Sequence, residues 1–553
     1  MYRSVAGRTV FLLVLAVLFA AYLRLSKTYP ENSDEANILL MASDLAHGNL
    51  YLSGWNVSDV PFITTELPEI ALLVRLFGLH LDTAHIAAAL TYTVVVAIAV
   101  LLAKGRASGP RAIARMGIAL AIMLAPQPGV GVFVLVFSVG HIGTAAPVML
   151  TWLVLDRCWP AGDAAGRTPR RLWFLPAAVA LLLAWALMAD PLVLVIAVCP
   201  VLVVAGVRLV TGFITELPNE GVLRRSRHVF ADRWLEASLA AAAGLAYLIA
   251  WGGGKLLRAA GGYAQQPVPF TLDPVSTWYA HSLTAAHGLL EMFGAFFLPG
   301  TAPPLSGLAE AVAVTRLACV AIAVLGACAI ARRFFRRDAD LVSQLLLAGI
   351  IANLAAYIPS SLADHTALNA REFAPVLPFA AVLAARMLGD RTAERAAGNR
   401  IVAVSLAAVF CWYCAGLAHQ AAAPAAADPF ARLETFLRQQ HLTEGIGGYW
   451  DSSVITVDTD GAISMRAVTG CLHPYAWESK PAWYDPAGHA ASFVLESGGT
   501  GYFSRWLASP AALRRLGGLL PAASPATLDP GDGYAVHAFQ GNLLTQLPLI
   551  RHC

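Results

Sequence analysis

The sequence predicts a polytopic α-helical membrane protein with about eleven transmembrane helices and a C-terminal extracytoplasmic α/β domain. Three observations carry this. Of 553 residues, 58% are hydrophobic and 13% charged, about half the charge of a soluble domain. The apolar residues fall in long blocks between polar loops. Arginine is concentrated in alternate loops.

The first span, Val10 to Leu23, follows Arg3 and Arg8. Arg24, Lys27 and Tyr29 come after it where a signal peptide would have small residues, so it reads as a retained anchor with a cytoplasmic N-terminus. The next spans are Ala84 to Ala103, Met116 to Leu124, Val132 to Leu155, Leu175 to Ala189 and Leu192 to Val207. The third of the chain is short because Pro126 and Pro128 end its apolar run. Leu235 to Trp251, Ala309 to Ala331, Leu341 to Ile358, Ala374 to Leu388 and Ile401 to Ala418 complete the set. Predicted inner loops carry Arg106, Arg111 and Arg115, then Arg157 to Arg171, Arg208 to Arg233, Arg332 to Arg337 and Arg386 to Arg400. Predicted outer loops carry only Lys27, Arg75, Lys255, Arg258 and Arg371. This positive-inside pattern and an odd number of spans place the C-terminus outside. The four lysines among 38 basic residues, with the abundant alanine, fit a GC-rich bacterial genome, hence the inner (plasma) membrane of a bacterium.

Residues 1–418 therefore form the transmembrane domain, 419–428 a linker (HQAAAPAAADP opens at its edge), and 429–553 a soluble domain of about 125 residues. The first outer loop, 26–82, holds two amphipathic helices, about Asp34 to His47 and Glu66 to Phe77, with the spacing of helices lying in the membrane interface. The second long outer loop is 252–308. In the soluble domain Phe430 to Gln440 reads as a helix. Val454 to Val457, Ile463 to Val468, Ser492 to Leu495 and Tyr534 to Phe539 read as strands, with a helix near Ala511 to Leu516.

Asp34 and Glu35 stand side by side just past the first span. Asn32 to Glu35 is close to a capping box, which accounts for Glu35 fully and for Asp34 in part. Asp34 is left as a carboxylate at the outer face, placed to take a proton from an incoming hydroxyl. Asp190 ends a span at the same face in WALMADPLVL and is the second acid candidate, unless it only caps an Asp-Pro hairpin. Glu66, His141 and His281 are candidates to line the same cavity; polar-face and packing roles compete for each.

One anchor span, an outer loop with an acidic pair and two amphipathic helices, many further spans and an extracytoplasmic C-terminal domain together resemble the GT-C glycosyltransferases. These include protein O-mannosyltransferases and bacterial aminoarabinose transferases. NAREFAPVLPFAAVLAAR, Asn369 to Arg386, resembles the Arg-Tyr-Leu-x-Pro segment that opens a late span there, with Glu372 and Phe373 in place of the aromatic-apolar pair. The resemblance implies an inverting transferase with a polyprenyl-phosphate sugar as donor and a glycan, lipid or protein of the cell envelope as acceptor. Asp34 would be the general base, with Glu35 and Asp190 beside it. The leaving phosphate needs cations, for which Arg371, Lys255, Arg258 and His365 are the outer-face candidates.

No residue pattern requires a cofactor. His281, His287 and Glu291 do not make a metal site by spacing alone, so none is predicted, although Mg or Mn recruited by Asp34 and the donor phosphate is compatible with this chemistry. Cys471 and Cys553, both in the extracytoplasmic domain, are expected to form a disulfide. No Walker A motif, strand-following G-x-G-x-x-G or nucleophile elbow occurs, against nucleotide hydrolysis and esterase chemistry, and nothing points to nucleic acid. A transporter or flippase for a lipid-linked glycan and a non-catalytic envelope assembly factor are the alternatives; the first should show inverted repeats and buried mid-membrane charges.

Overall fold

In the computed structural model, residues 5–547 are described apart from segments 138–139, 160–171, 216–232, 299–304, 337–338, 364–365, 470–471 and 498–525 and positions 269, 306 and 532. The apolar blocks of the sequence become helices because only a helix satisfies each backbone N–H and C=O within its own segment when no water is at hand. They are α1 (Val5–Ser26), α4 (Leu81–Lys104), α5 (Gly109–Met123), α6 (Val130–Val136), α7 (His141–Cys158), α8 (Phe174–Ala189), α9 (Cys199–Thr215) and α10 (Trp234–Ala259). After α11 (Val275–Met292) come α12 (Leu308–Ala331), α13 (Leu341–Tyr357), α14 (Val376–Gly398) and α15 (Arg400–Ala421). Each predicted span falls on these helices, but Val132 to Leu155 is divided between α6 and α7, and Leu192 to Val207 reaches α9 through a π-helical turn. Among the described residues, however, only six helices are long and apolar enough to cross a membrane, or up to eight if each bent pair is one span. The expected eleven therefore stand as six to eight span candidates plus shorter apolar helices such as α8 and α13. The protein is a multi-pass membrane protein.

Prolines shape the exceptions. Pro147 lies inside α7, and a five-residue π-helical turn, Leu194–Val198, precedes Pro200 in α9. At Pro375 the chain turns by 60° between a 3₁₀ helix, Ala367–Phe373, and α14.

Among the described residues, those flanking the predicted inner loops meet one another in ion pairs. Arg386 bonds Asp156 at 2.7 Å and Asp340 at 3.0 Å, Arg115 makes a bidentate pair with Asp390, and Arg111 reaches Glu394. The predicted outer loops are joined through backbone. In the first loop α2 (Ser33–Ala46) and α3 (Glu66–Phe77) flank β1 (Asn56–Val57), which pairs in parallel with β2 (Ala264–Gln265) of the second long loop. Leu272 of that loop bridges to Ser360, just before the 3₁₀ helix, and Asn56 bridges to Ser479 of the C-terminal region.

That region carries α16 (Ala431–Gln439), α17 (Tyr449–Asp458) and a five-stranded mixed sheet. Its strands are β3 (Glu444–Gly447), β4 (Ser464–Ala467), β5 (Phe493–Glu496), β6 (Ala526–Gly531) and β7 (Tyr534–Ala538), in the order β4-β3-β5-β7-β6. Three expected strands are present. The fourth, Val454 to Val457, is instead the second half of α17. Its β-branched run favours a strand locally, but Val454, Ile455 and Val457 bury themselves in one core with α2 and α3, and tertiary packing overrides propensity. The helix expected near Ala511 to Leu516 lies outside the described residues.

The two first-loop helices also differ from each other. Helix α3 keeps Leu72, Leu76 and Phe77 exposed, an apolar stripe suited to the membrane interface. Helix α2 does not: Ala36, Ile38, Leu39, Met41 and Ala42 are all buried, in a core shared with α3 and the C-terminal region.

Candidate active site

Asn32 starts α2 as its N-cap, accepting from the Asp34 backbone N–H at 2.9 Å, while Glu35 Oε2 accepts from the Asn32 N–H at 3.2 Å. This capping box occupies Glu35 and leaves the Asp34 side chain directed outward from the first turn. Asp34 Oδ1 accepts from the Tyr449 hydroxyl at 2.6 Å and Oδ2 lies 3.4 Å from Arg371 Nη1. The Arg371 Nε lies 3.5 Å from Glu372 Oε1, and Glu372 Oε2 lies 3.1 Å from His141 Nε2. His141 Nδ1 is in turn 2.6 Å from Asp190 Oδ2, which also accepts from Thr144, while Asp190 Oδ1 accepts from the Leu192 N–H at 2.8 Å. Both ring nitrogens of His141 face carboxylates, which an imidazolium satisfies by donating from each.

Acids and bases thus alternate in one contiguous row across five elements: α17, α2, the 3₁₀ helix, α7 and the cap of α8. Asp190 is fully buried, and a carboxylate there is tolerable because His141, Thr144 and a backbone N–H all serve it. The Pro375 turn presents Arg371 and Glu372 from a tight 3₁₀ helix between the acids of α2 and the histidine of α7.

Four predicted residues, Asp34, Arg371, His141 and Asp190, therefore meet. Glu66 lies next to this row: it is buried, a Cβ added at Gly143 would fall 1.7 Å from its Oε1, and neither of its oxygens has a hydrogen-bond partner among the described residues. Burial pushes its carboxyl up to about 7. Glu69 on the same helix is also pushed up to about 7 by burial, against the Thr91 hydroxyl.

The other predicted cations do not join the row. Lys255 and Arg258 lie exposed near the end of α10, with the Lys255 ammonium 5.9 Å from the Trp251 ring centre. His365, Cys471 and Cys553 lie outside the described residues, so the phosphate-binding and disulfide expectations for them meet no observation. His281 is buried with Nδ1 2.9 Å from the Ile358 carbonyl, a link between α11 and the end of α13. The helical spacing does bring His287 and Glu291 to 3.0 Å, but His287 also stacks on Phe296 with ring centres 3.9 Å apart.

Three site residues were not among the sequence candidates: Glu372, Tyr449 and Glu478. The Tyr449 hydroxyl is 2.7 Å from Glu478 Oε2 as well as 2.6 Å from Asp34. Burial and the Asp34 charge push Glu478 up to about 8, and burial with the Glu478 and Asp34 charges raises Tyr449 well above the usual phenol range. No local pattern announces Tyr449 and Glu478; only the chain's return from 415 residues away brings Tyr449 to Asp34.

For a metal at Asp34 the donor set fits poorly. One of its oxygens faces a hydroxyl and the other a guanidinium, while Glu372 and Asp190 are held by His141. Among the described residues the group of acids that could hold a metal is Asp428, Glu434 and Asp458, with ligand atoms within 4.8 Å of one another and no predicted site residue included.

No protein-family model matches the chain, and no curated protein matches it in sequence. Solved structures match it in fold. ArnT from Cupriavidus metallidurans bound to undecaprenyl phosphate aligns over 97% of this chain and 98% of its own, with a TM-score of 0.51 and 13% identity. The apo form of the same protein gives the same values, a TM-score of 0.51 at 13% identity. An oligosaccharyltransferase of Archaeoglobus fulgidus tethered with an acceptor peptide aligns over 88% of this chain and 69% of its own, with a TM-score of 0.42 and 14% identity. At such identities the likeness is one of fold, and the ArnT alignment covers nearly the whole of both chains. The chain has a GT-C-like fold.

Proposed function

We propose that this protein is an inverting glycosyltransferase that moves a sugar from a polyprenyl-phosphate donor to a cell-envelope acceptor at the outer face of the membrane. The observation that carries the reading is the Asp34–Arg371 pair, one acid and one cation held together where the outer loops converge. In this mechanism the acceptor hydroxyl gives its proton to Asp34 as its oxygen bonds to the anomeric carbon. The bond from that carbon to the phosphate oxygen breaks on the opposite face, and the lipid phosphate leaves with the electron pair. Arg371 is the cation for the leaving phosphate. Its contacts to Asp34 and Glu372, at 3.4 and 3.5 Å, are long enough to yield to a phosphate, and its departure frees Asp34 Oδ2 as the proton acceptor. The Glu372–His141–Asp190 row holds the guanidinium from behind. No step passes through a metal. A donor of undecaprenyl-phosphate type is favoured by the fold shared with a protein crystallised with undecaprenyl phosphate.

The test assays label transfer from radiolabelled undecaprenyl-phosphate sugars to envelope material. Asp34→Asn is expected to lower turnover by at least about a hundredfold, and Arg371→Ala to weaken undecaprenyl phosphate binding. Undiminished transfer by the Asp34 variant would remove it from the mechanism.

A further inference from the structure

The row of charges does not end at Asp34. It continues into the C-terminal region, through a hydroxyl and an acid to which the transfer chemistry assigns no task. Tyr449 stands at the start of α17, and its single O–H faces two carboxylates at 2.6 and 2.7 Å. One proton cannot serve two carboxylates, so a second proton is needed to satisfy the group. The buried Glu478 holds it: burial and the Asp34 charge keep its carboxyl protonated up to about pH 8. The array then runs in one direction, with Glu478 donating to the Tyr449 oxygen and Tyr449 donating to Asp34 Oδ1.

The placement of Glu478 is held by force. Its φ is 46°, in the left-handed region that a glutamate rarely adopts. The segment bearing it is pinned on both sides: Ser479 exchanges two backbone hydrogen bonds with Asn56, at 2.8 and 3.1 Å, and Lys480 pairs with Asp44 on α2. The groups facing Glu478 are Asp34 and Asn37 from α2, Ser58 from the first loop, Tyr449 from α17, Tyr475 from its own segment and the Arg371 charge from the 3₁₀ helix.

We propose that Tyr449 and Glu478 are positioning residues for Asp34, so that the C-terminal region completes the catalytic base rather than merely covering it. This rests on the reading of Asp34 as the base. By occupying Oδ1, Tyr449 fixes the carboxylate and directs Oδ2 to the acceptor; Glu478 supplies the hydrogen bond that keeps the phenol pointed at Asp34. When Glu478 ionises it competes for the phenol proton, and Asp34 loses its donor.

The experiment uses the full chain in lipid nanodiscs, with the undecaprenyl-phosphate-linked sugar that the wild type consumes and, separately, undecaprenyl phosphate itself. Tyr449→Phe deletes one oxygen; it should lower kcat roughly tenfold or more, the worth of a hydrogen bond to a charged group, with donor KM and undecaprenyl phosphate affinity unchanged. The wild-type rate should fall as pH rises through about 8, while Glu478→Gln, which keeps a donor and cannot ionise, holds its own neutral-pH rate across that range. Glu478→Ala should behave like Tyr449→Phe. Coincident pH profiles for wild type and Glu478→Gln, or an unchanged kcat for Tyr449→Phe, would overturn the proposal.

A second readout needs no turnover. The infrared carboxylic-acid band that titrates near pH 8 should vanish in Glu478→Gln and shift in both Tyr449→Phe and Asp34→Asn. A Glu478 band indifferent to both substitutions refutes the array even if transfer is observed. An intact array in a protein that consumes no donor instead refutes the transferase reading.

Discussion

Asp34 and Glu35 are neighbours whose side chains serve different ends. Glu35 closes a capping box onto the Asn32 N–H, so Glu35→Gln should cost at most about 1 kcal/mol in a thermal or denaturant melt and leave transfer close to normal. Asp34→Asn should do the reverse, sparing stability and removing transfer. Glu66 offers a second residue-scale prediction. Its carboxyl sits at about 7 in the folded chain, above the ordinary 4.5, so between those values the folded protein holds a proton that the unfolded chain has released. Stability should therefore decline as pH rises from about 4.5 through about 7, and Glu66→Gln should flatten that decline in a pH series of melting temperatures. Gly143→Ala should destabilise the wild type more than the Glu66→Ala background, because its Cβ would land on the Glu66 carboxylate. At this scale the sequence made Asp34, Asp190, His141 and Arg371 visible, since charged residues at span ends stand out in so apolar a chain. Tyr449 and Glu478 were invisible because tyrosines and glutamates are ordinary in a polar domain, and what distinguishes them is a contact across 415 residues.

The decisive element is the 3₁₀ helix and the turn after it. Pro375 cannot donate to the preceding turn, so the chain breaks there by 60°, and the break is what holds Arg371 beside Asp34. Pro375→Ala lets α14 extend backwards; undecaprenyl phosphate affinity should drop and donor KM rise while the melting temperature changes little. Helix periodicity made α3 legible to the residue, because one of its faces is buried and the opposite face keeps its exposed apolar stripe. Helix α2 and the α17 segment were harder for a shared reason. Each owes its surroundings to the other, and a pattern read within one segment carries no trace of a partner from the far end of the chain. Val454 to Val457 became a helix on that account.

Across the whole molecule, the two ends of the bundle hold charge differently. At the end that holds Asp34, the acids Asp34, Asp190, Glu372 and Glu478 outnumber Arg371 and His141. At the other end Arg386, with its side chain 7% exposed, answers both Asp156 and Asp340 and also bonds the Leu102 carbonyl. Arg386→Ala would leave two acids without their cation, an expected loss of about 3–5 kcal/mol in unfolding free energy. Undecaprenyl phosphate affinity, measured below the new melting point, should survive it. The segregation of arginine into alternate loops is the sequence counterpart of the Arg111, Arg115 and Arg386 pairs. It could not foretell how many spans are full length, since short apolar helices and bent pairs have the same composition as straight ones.

The distance along the chain between Asp34 and Tyr449 also sets a timetable. A ribosome adding about 5–20 residues per second needs roughly 20–80 seconds to make the 415 residues between them. For that interval α2 is without its cover, its buried Ile38, Leu39 and Met41 lacking the surface they will occupy. Until α17 is made, the apolar face of α2 that it covers stays open. On the proposed reading of Asp34 as the base, a chain that stops short of Tyr449 lacks the hydroxyl that meets it.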